Sequence, residues 1–262
     1  MTSRVRTVVD RVAVGVGLLL LWQVAHMAAG TYWLSSPWQT LQRLAELAAS
    51  GELARHAAYT LRAAGYGFVL GGVPGLLLPF LLRRLPIVSA TLMPFMVAGY
   101  GLPKLALAPL FILWFGIGIE SKVAVVAAAT FFLVFFNVEA GVRALDLKLV
   151  RMAQILGASE MQVARHVILP GAVPFVFAGI RTATPYAIGA AVIAELISSN
   201  RGLGYLVQLG ASNFDAKTMI AAVVATTIIV VGANSVVNAL ERWLLRWRPR
   251  SGFAAGAASG EF

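Results

Sequence analysis

Hydrophobic positions dominate long stretches of the chain and polar ones collect between them. Runs at Val12–Gly30, Ala57–Leu82, Ile87–Phe115, Val123–Ala140, Gly171–Ile197 and Thr218–Leu240 are each close to or above the ~20 apolar residues that a helix needs to cross a ~30 Å hydrocarbon core. These six runs predict helices, since a lone helix pairs its own backbone groups in lipid and an open sheet does not. The third run carries Pro94, Pro103 and Pro109 and predicts either one long helix or two pieces, with Ile87–Tyr100 partly in the interface. Pro37–Ser50 alternates as an amphipathic helix, expected to lie on the outer surface. Gly67, Gly71 and Gly75 recur every four residues on the second run, a spacing that permits close helix contact within one subunit or between two.

Composition supports a membrane solvent. Of 262 residues 59% are hydrophobic and 12% charged, against about 25% charged in an ordinary soluble domain. The formal net charge of +10 would suggest nucleic acid in a soluble protein. Here the basic residues sit between apolar runs, so they report orientation and no nucleic-acid partner is expected. One side holds Arg4, Arg6, Arg11, Arg83, Arg84, Arg143, Lys148, Arg151, Arg165, Arg242, Arg246, Arg248 and Arg250; the other holds Arg43, Arg55, Lys122, Arg201 and Lys217. The richer set marks the cytoplasm, which places both termini and the loop 141–170 there. Tyr32, Trp33 and Trp38 would anchor the outer interface, and Trp243 and Trp247 the inner one. The first run reads as an uncleaved span, because it is long and lacks a small-x-small cleavage site. Residues 1–11 form a cytoplasmic N-terminus, 12–248 one transmembrane domain, and 249–262 a small polar tail expected to be disordered.

Catalytic chemistry is missing from the pattern. There is no cysteine, no G-x-x-x-x-G-K-[ST] phosphate loop, no G-x-S-x-G and no H-E-x-x-H. His26, His56 and His166 are far apart and read as ordinary interfacial residues, so no metal site is expected.

The loop between the fourth and fifth runs is the most informative segment. Asp146 is placed to N-cap a short helix to Leu156, and Gly157 is a suitable left-handed stop. Ser159-Glu-Met-Gln162 fits a capping box, opening a second short helix that Pro170 is expected to end. The result is a rigid knuckle carrying Ile155, Leu156, Met161, Val163 and Val167, which either docks a partner or packs on its own membrane domain.

These residues resemble the binding-protein-dependent importer permeases, whose cytoplasmic signature reads E-A-A, three residues, G, nine residues, I-x-L-P. Here Arg151-Met152-Ala153 is followed after three residues by Gly157, and after nine more by Val167-Ile168-Leu169-Pro170. Arg151 replaces the family's glutamate and Met152 its first alanine. Pro103-Lys104 through Gly118, Glu120-Ser-Lys122, Ala194-Glu195-Leu196, Gly202-Leu-Gly204-Tyr205-Leu206 and Leu240 to Trp247 look like the nitrate/sulfonate/taurine branch. The resemblance covers roughly residues 35 to 248.

The resemblance implies an all-α membrane protein of about six transmembrane helices, with the type I ABC importer permease fold and a coupling-helix loop. It implies a multi-pass subunit of a bacterial inner membrane, paired with a second permease copy as a homodimer, two ATPase subunits and a periplasmic substrate-binding protein. The partner ATPase would bind ATP and Mg, and this chain no cofactor. Ala153, Leu156, Gly157, Ala158, Ser159, Met161, Arg165, Leu169 and Pro170 would form the ATPase-docking surface. Lys104 follows a break at Gly101-Leu-Pro103 and either faces the pathway, favouring anionic solutes, or snorkels or pairs structurally with Glu195. Arg181 reads as a snorkelling residue. Glu195, Gly202 and Gly204 belong to an outer gate or to a plain periplasmic turn. Two rival readings are an ATPase-independent secondary transporter or channel, which needs paired charges within several spans, and a membrane-embedded enzyme, which needs a polar cluster. Neither feature is evident in the sequence.

Overall fold

In a computed structural model of the protein, which describes residues 3–145 and 147–246, helix is the dominant element. The glycine stripe explains the central packing. Helix α3 (Glu52–Leu82) lies against α6 (Ile119–Arg143) with the two backbones nearly touching. A Cβ on Gly71 would overlap the Ala127 carbonyl, and one on Gly75 would come within 2.6 Å of the Phe131 carbonyl oxygen. The stripe thus serves packing inside one subunit. In lipid, where apolar surface alone does not drive helices together, such close approach yields dispersion contacts that larger residues would forbid.

Helix α6 also packs on α9 (Leu169–Ile197). Gly141 meets Phe175, and Gly179 faces Asn137. Ala183, Ala187, Ala190, Ala191 and Ala194 keep the buried face of α9 small. Helices α10 (Leu203–Ser212) and α11 (Ala216–Leu244) close the end of the bundle that α9 reaches at Ile197, where Leu203, Leu206, Ala222 and Ala225 form a separate cluster. On that end α2 (Pro37–Ala49) is fixed by a capping box between Ser36 and Gln39, and Arg43 reaches Thr218 on α11 at 2.8 Å.

The third hydrophobic run is two pieces. Helix α4 (Pro86–Gly101) is followed by a tight turn of 3₁₀ helix at Lys104–Leu107 and by α5 (Ala108–Phe115), with an 81° bend between the halves. Leu102 adopts an extended conformation, as a residue before proline prefers. Five helices among the described residues are long and apolar enough to cross a membrane, and six if the bent pair is one span. Helix α1 (Ser3–Ala29) buries none of its apolar window within the chain. Its end is tied to the following turn by Trp22 donating to the Ser35 carbonyl and by a His26 to Leu34 contact.

Tyr32, Trp33, Trp38 and Trp243 are exposed. Trp247, Arg248, Arg250 and the tail 249–262 lie outside the described residues, as does the cap expected of Asp146. Arg181 makes an ion pair of 3.2 Å to Glu241 on α11. One sequence expectation changes. Lys122 is no loop residue: the fourth span begins at Ile119, three residues before it, and the lysine is fully buried.

Candidate functional site

Three features concentrate the unusual chemistry. The first, the segment between α6 and α9, begins with α7 (Leu147–Ile155). Gly157 has φ +83°, the left-handed region that suits glycine. Its amide bonds to the Gln154 carbonyl, and the Ala158 amide reaches back to Ala153, both at 3.0 Å. That pair of bonds is a Schellman stop, which ties Ala153, Gly157 and Ala158 into one unit. Ser159 then caps α8 (Glu160–Val163): its hydroxyl accepts from the Gln162 amide, and the Gln162 side chain accepts from the Ser159 amide at 2.8 Å.

Two rigid stops back to back fix the corner. Leu156 and Ile155 stand 85% and 84% exposed on it, with Met161 exposed beside them. Val163 is buried, and Val150 on α7 as well. The expected end at Pro170 does not occur. Residues 164–168 form a turn of π-helix, in which the Leu169 amide bonds to the Ala164 carbonyl, and the chain continues without a break into α9. Pro170 supplies no amide for the carbonyl four residues back, and the wider turn carries the helix past that gap. Arg165 and Leu169 are exposed on this continuous helix.

The second feature sits at the far end of α9. Glu195 is 1% exposed, and its Oε2 accepts from the Thr60 hydroxyl and from the Gly204 amide, each at 2.9 Å. Thr60 also accepts the Leu203 amide at 2.9 Å, and His56 Nδ1, one turn earlier, accepts the Gly202 amide at 2.9 Å. Three successive amides that open α10 are thereby taken by side chains of α3 and α9. A helix start has free amides that need acceptors, and here they are met from neighbouring helices. Gly202 has φ +109°, and a Cβ there would overlap the Glu195 carboxylate. A Cβ on Gly204 would overlap the Val192 carbonyl. Lys122 is completely buried near this cluster, its ammonium donating to the carbonyls of Ile117 (2.8 Å) and Ser198. Among the described residues, Glu195 Oε1 accepts no hydrogen bond.

The third feature is a cavity of about 700 Å³ at the bend between α4 and α5. Lys104 lines it with Tyr100, Leu133, Pro185, Tyr186 and Ile193. Its ammonium donates to the Tyr100 carbonyl and stands 4.6 Å from the centroid of the Tyr100 ring and 5.0 Å from that of Phe132. Lys104 therefore does not pair with Glu195, whose carboxylate is engaged by Thr60 and Gly204. Glu195, Gly202 and Gly204 form one cluster, and Lys104 is separate from it.

Thr60, His56 and Lys122 were missed as members of the Glu195 cluster. A threonine inside an apolar helix carries no sequence signal, and Lys122 read as a loop charge. Its position just before the fourth run was a usable hint, because a lysine there needs acceptors if the helix begins earlier.

The model of the family described as binding-protein-dependent transport system inner membrane component matches residues 67–248. The chain belongs to this family. The permease is 34% identical over 232 residues to the riboflavin transport system permease protein RibX of Chloroflexus aurantiacus, covering 88% of this chain and 87% of that one. It is 35% identical over 242 residues to the putative aliphatic sulfonates transport permease protein SsuC of Escherichia coli, with 89% and 90% covered. With the taurine transport system permease protein TauC of Escherichia coli it shares 33% over 239 residues, 88% and 86% covered. A solved inward-facing structure of the MetNI methionine ABC transporter superposes with a TM-score of 0.56 at 20% identity, covering 78% of the permease and 92% of that chain. That likeness speaks for the fold. The permease has the all-helical fold of an ABC importer membrane subunit.

Proposed function

We propose that the permease carries a small anionic solute across the membrane by alternating access, driven through the corner at Gly157 by a separate ATPase. The observation that carries this reading is the exposed apolar pair Ile155 and Leu156 on a corner held by two consecutive helix stops. Exposed apolar side chains on a rigid cytoplasmic turn favour burial against a partner. Ala153, Leu156, Gly157, Ala158, Ser159, Met161, Arg165, Leu169 and Pro170 make up the docking element. Arg151 stands where the family has a glutamate, so shape at the corner outweighs an ion pair.

The richer basic set places both termini and this loop in the cytoplasm, and 12–248 is the translocating domain. Two copies work with two ATPase subunits and a periplasmic binding protein, and the ATPase holds ATP and Mg. The permease itself performs no catalysis. Lys104, the charged residue in the cavity at the broken helix, is the reason for an anion. The names of two relatives, for aliphatic sulfonates and taurine, fit that chemistry. Glu195, Gly202 and Gly204 hold the outer end as a gate.

The test is Gly157→Asp or deletion of Ala158, measured by co-purification with the ATPase. A residue other than glycine in the left-handed region costs about 1–2 kcal/mol, and Asp is one of the few that visits it, so the fold survives while the corner changes shape. Loss of the ATPase with normal membrane insertion is expected; a full ATPase complement on both variants refutes the docking role. For the pathway, Lys104→Ala should lower uptake or alter solute preference, and unchanged uptake with unchanged preference removes Lys104 from it.

A further inference from the structure

The cavity at the helix break carries information beyond the sign of the solute. Its 700 Å³ falls within the range of about 300–1,000 Å³ typical of sites for organic ligands, and it far exceeds what a bare oxyanion fills. Among the described lining residues Lys104 is the one charged group, and no carboxylate faces the space. The remaining walls are apolar or aromatic, including Leu105, Leu133, Pro185 and Ile193, with the rings of Tyr100 and Tyr186 at the sides.

The donor supply is equally limited. An ammonium offers three N–H groups, and Lys104 gives one to the Tyr100 carbonyl. The rings of Tyr100 and Phe132 lie beside that ammonium and fix where it stands. A small inorganic anion is hydrated over its whole surface, and this cavity replaces those waters with hydrocarbon on most sides, at substantial cost. An organic anion concentrates its charge at one end. That end meets Lys104 while the body displaces water from Leu133, Ile193 and the tyrosine rings. A solute bearing an amino group as well would bring an ammonium into a space with no acidic partner.

We infer that the cavity at Lys104 takes an amine-free organic monoanion, a carboxylate or sulfonate on an aromatic or aliphatic body, in preference to inorganic oxyanions and to zwitterionic amino acids or amino sulfonates. The inference rests on Lys104 lying in the pathway, as proposed above.

The test measures equilibrium binding to the permease purified with its ATPase in lipid nanodiscs, without a binding protein, so that the cavity alone selects. The probes are benzenesulfonate, phenylacetate, taurine, nitrate and the neutral benzyl alcohol. Benzenesulfonate and phenylacetate are expected to bind at least about tenfold more tightly than the other three, and Lys104→Gln to remove most of their advantage over benzyl alcohol, as loss of a charge-assisted contact requires. A preference between the two aromatic anions identifies which acid group the site favours, and either one meets the expectation. Nitrate or taurine binding as tightly as benzenesulfonate overturns the inference. If Lys104→Gln still weakens nitrate in that case, the pathway reading stands and only the solute class falls. If Lys104→Gln binds all five probes as the parent does, both fall. No binding of either aromatic anion also overturns it. Should Lys104→Gln fail to assemble, Tyr186→Ala decides: weakened phenylacetate with unchanged nitrate supports the inference, and an equal effect on both overturns it.

Discussion

Replacing Thr60 with valine removes one oxygen and leaves the side-chain shape nearly unchanged. That oxygen donates to Glu195 and accepts the Leu203 amide, both at 2.9 Å, at positions with no measurable exposure for Thr60 and Leu203. The valine would leave a buried amide without an acceptor and a buried carboxyl with the Gly204 amide as its one remaining donor. An ordinary interhelical hydrogen bond in lipid averages only about 0.6 kcal/mol, because the separated helices find other partners. An orphaned buried group costs more, about 1–3 kcal/mol each. The orphaned amide, together with a carboxyl reduced from two donors to one, puts the expected loss near 3 kcal/mol, and since 1.4 kcal/mol is a factor of ten, the undocked fraction of α10 rises roughly a hundredfold. Exposed Arg201 lies at the start of this segment, so the rate of trypsin cleavage there reports the undocking. Thr60→Ser keeps the hydroxyl and serves as the control. If Thr60→Val is cleaved no faster than Thr60→Ser, or changes by no more than the roughly threefold that 0.6 kcal/mol implies, the three amides are not held as a unit.

The helix interface gives a paired prediction: Gly71→Ala forces α3 and α6 apart at the Ala127 carbonyl and should cost about 1–3 kcal/mol, lowering the thermal midpoint. Gly65→Ala, which meets nothing within 4 Å, should be neutral or stabilising by up to about 1 kcal/mol; equal midpoints for both would contradict the close packing. Asp215 caps α11 through the amides of Lys217 and Thr218. Burial pushes its carboxyl up, but the Thr218 hydroxyl and amide, the Arg43 charge and the Lys217 amide together hold it below the ordinary aspartate value. A lowered folded value means the cap contributes fully above the unfolded value and fades as pH falls through the folded one. Asp215→Ala should therefore lose about 1 kcal/mol at neutral pH, with the difference from the parent shrinking in acid; a difference independent of pH refutes the cap.

The spans were legible because composition and run length dictate them in lipid, and the break at Leu102-Pro103 because proline restricts its neighbour. The corner at Gly157 was legible for the same local reason: a left-handed glycine and a Ser159/Gln162 box are both properties of short sequence. Pro170 was misread as a stop, since local rules do not anticipate a wider turn that carries a helix past the gap. The Gly67–Gly75 stripe could not choose a partner from spacing alone; the partner is α6, which depends on the tertiary arrangement. The Glu195 cluster was the least visible part. Glu195, Gly202 and Gly204 stand out in sequence, but Thr60 and His56 join them from 135 and 146 residues away. Nothing in local patterning marks such contacts.

The π-turn at 164–168 has a mechanical consequence. Because it bridges α8 and α9 without a joint, residues 160–197 are one helical rod of 38 residues, about 57 Å long at 1.5 Å per residue. One end of that rod is the corner, and the other bears Glu195. A tilt imposed at the corner that the helix does not take up by flexing at Pro174 or Pro185 appears as a sideways displacement of the carboxylate. A tilt of a few degrees moves that end by several ångströms, comparable to a hydrogen-bond length. The lever is thus long enough for a small push at one face to separate Glu195 from Thr60 at the other.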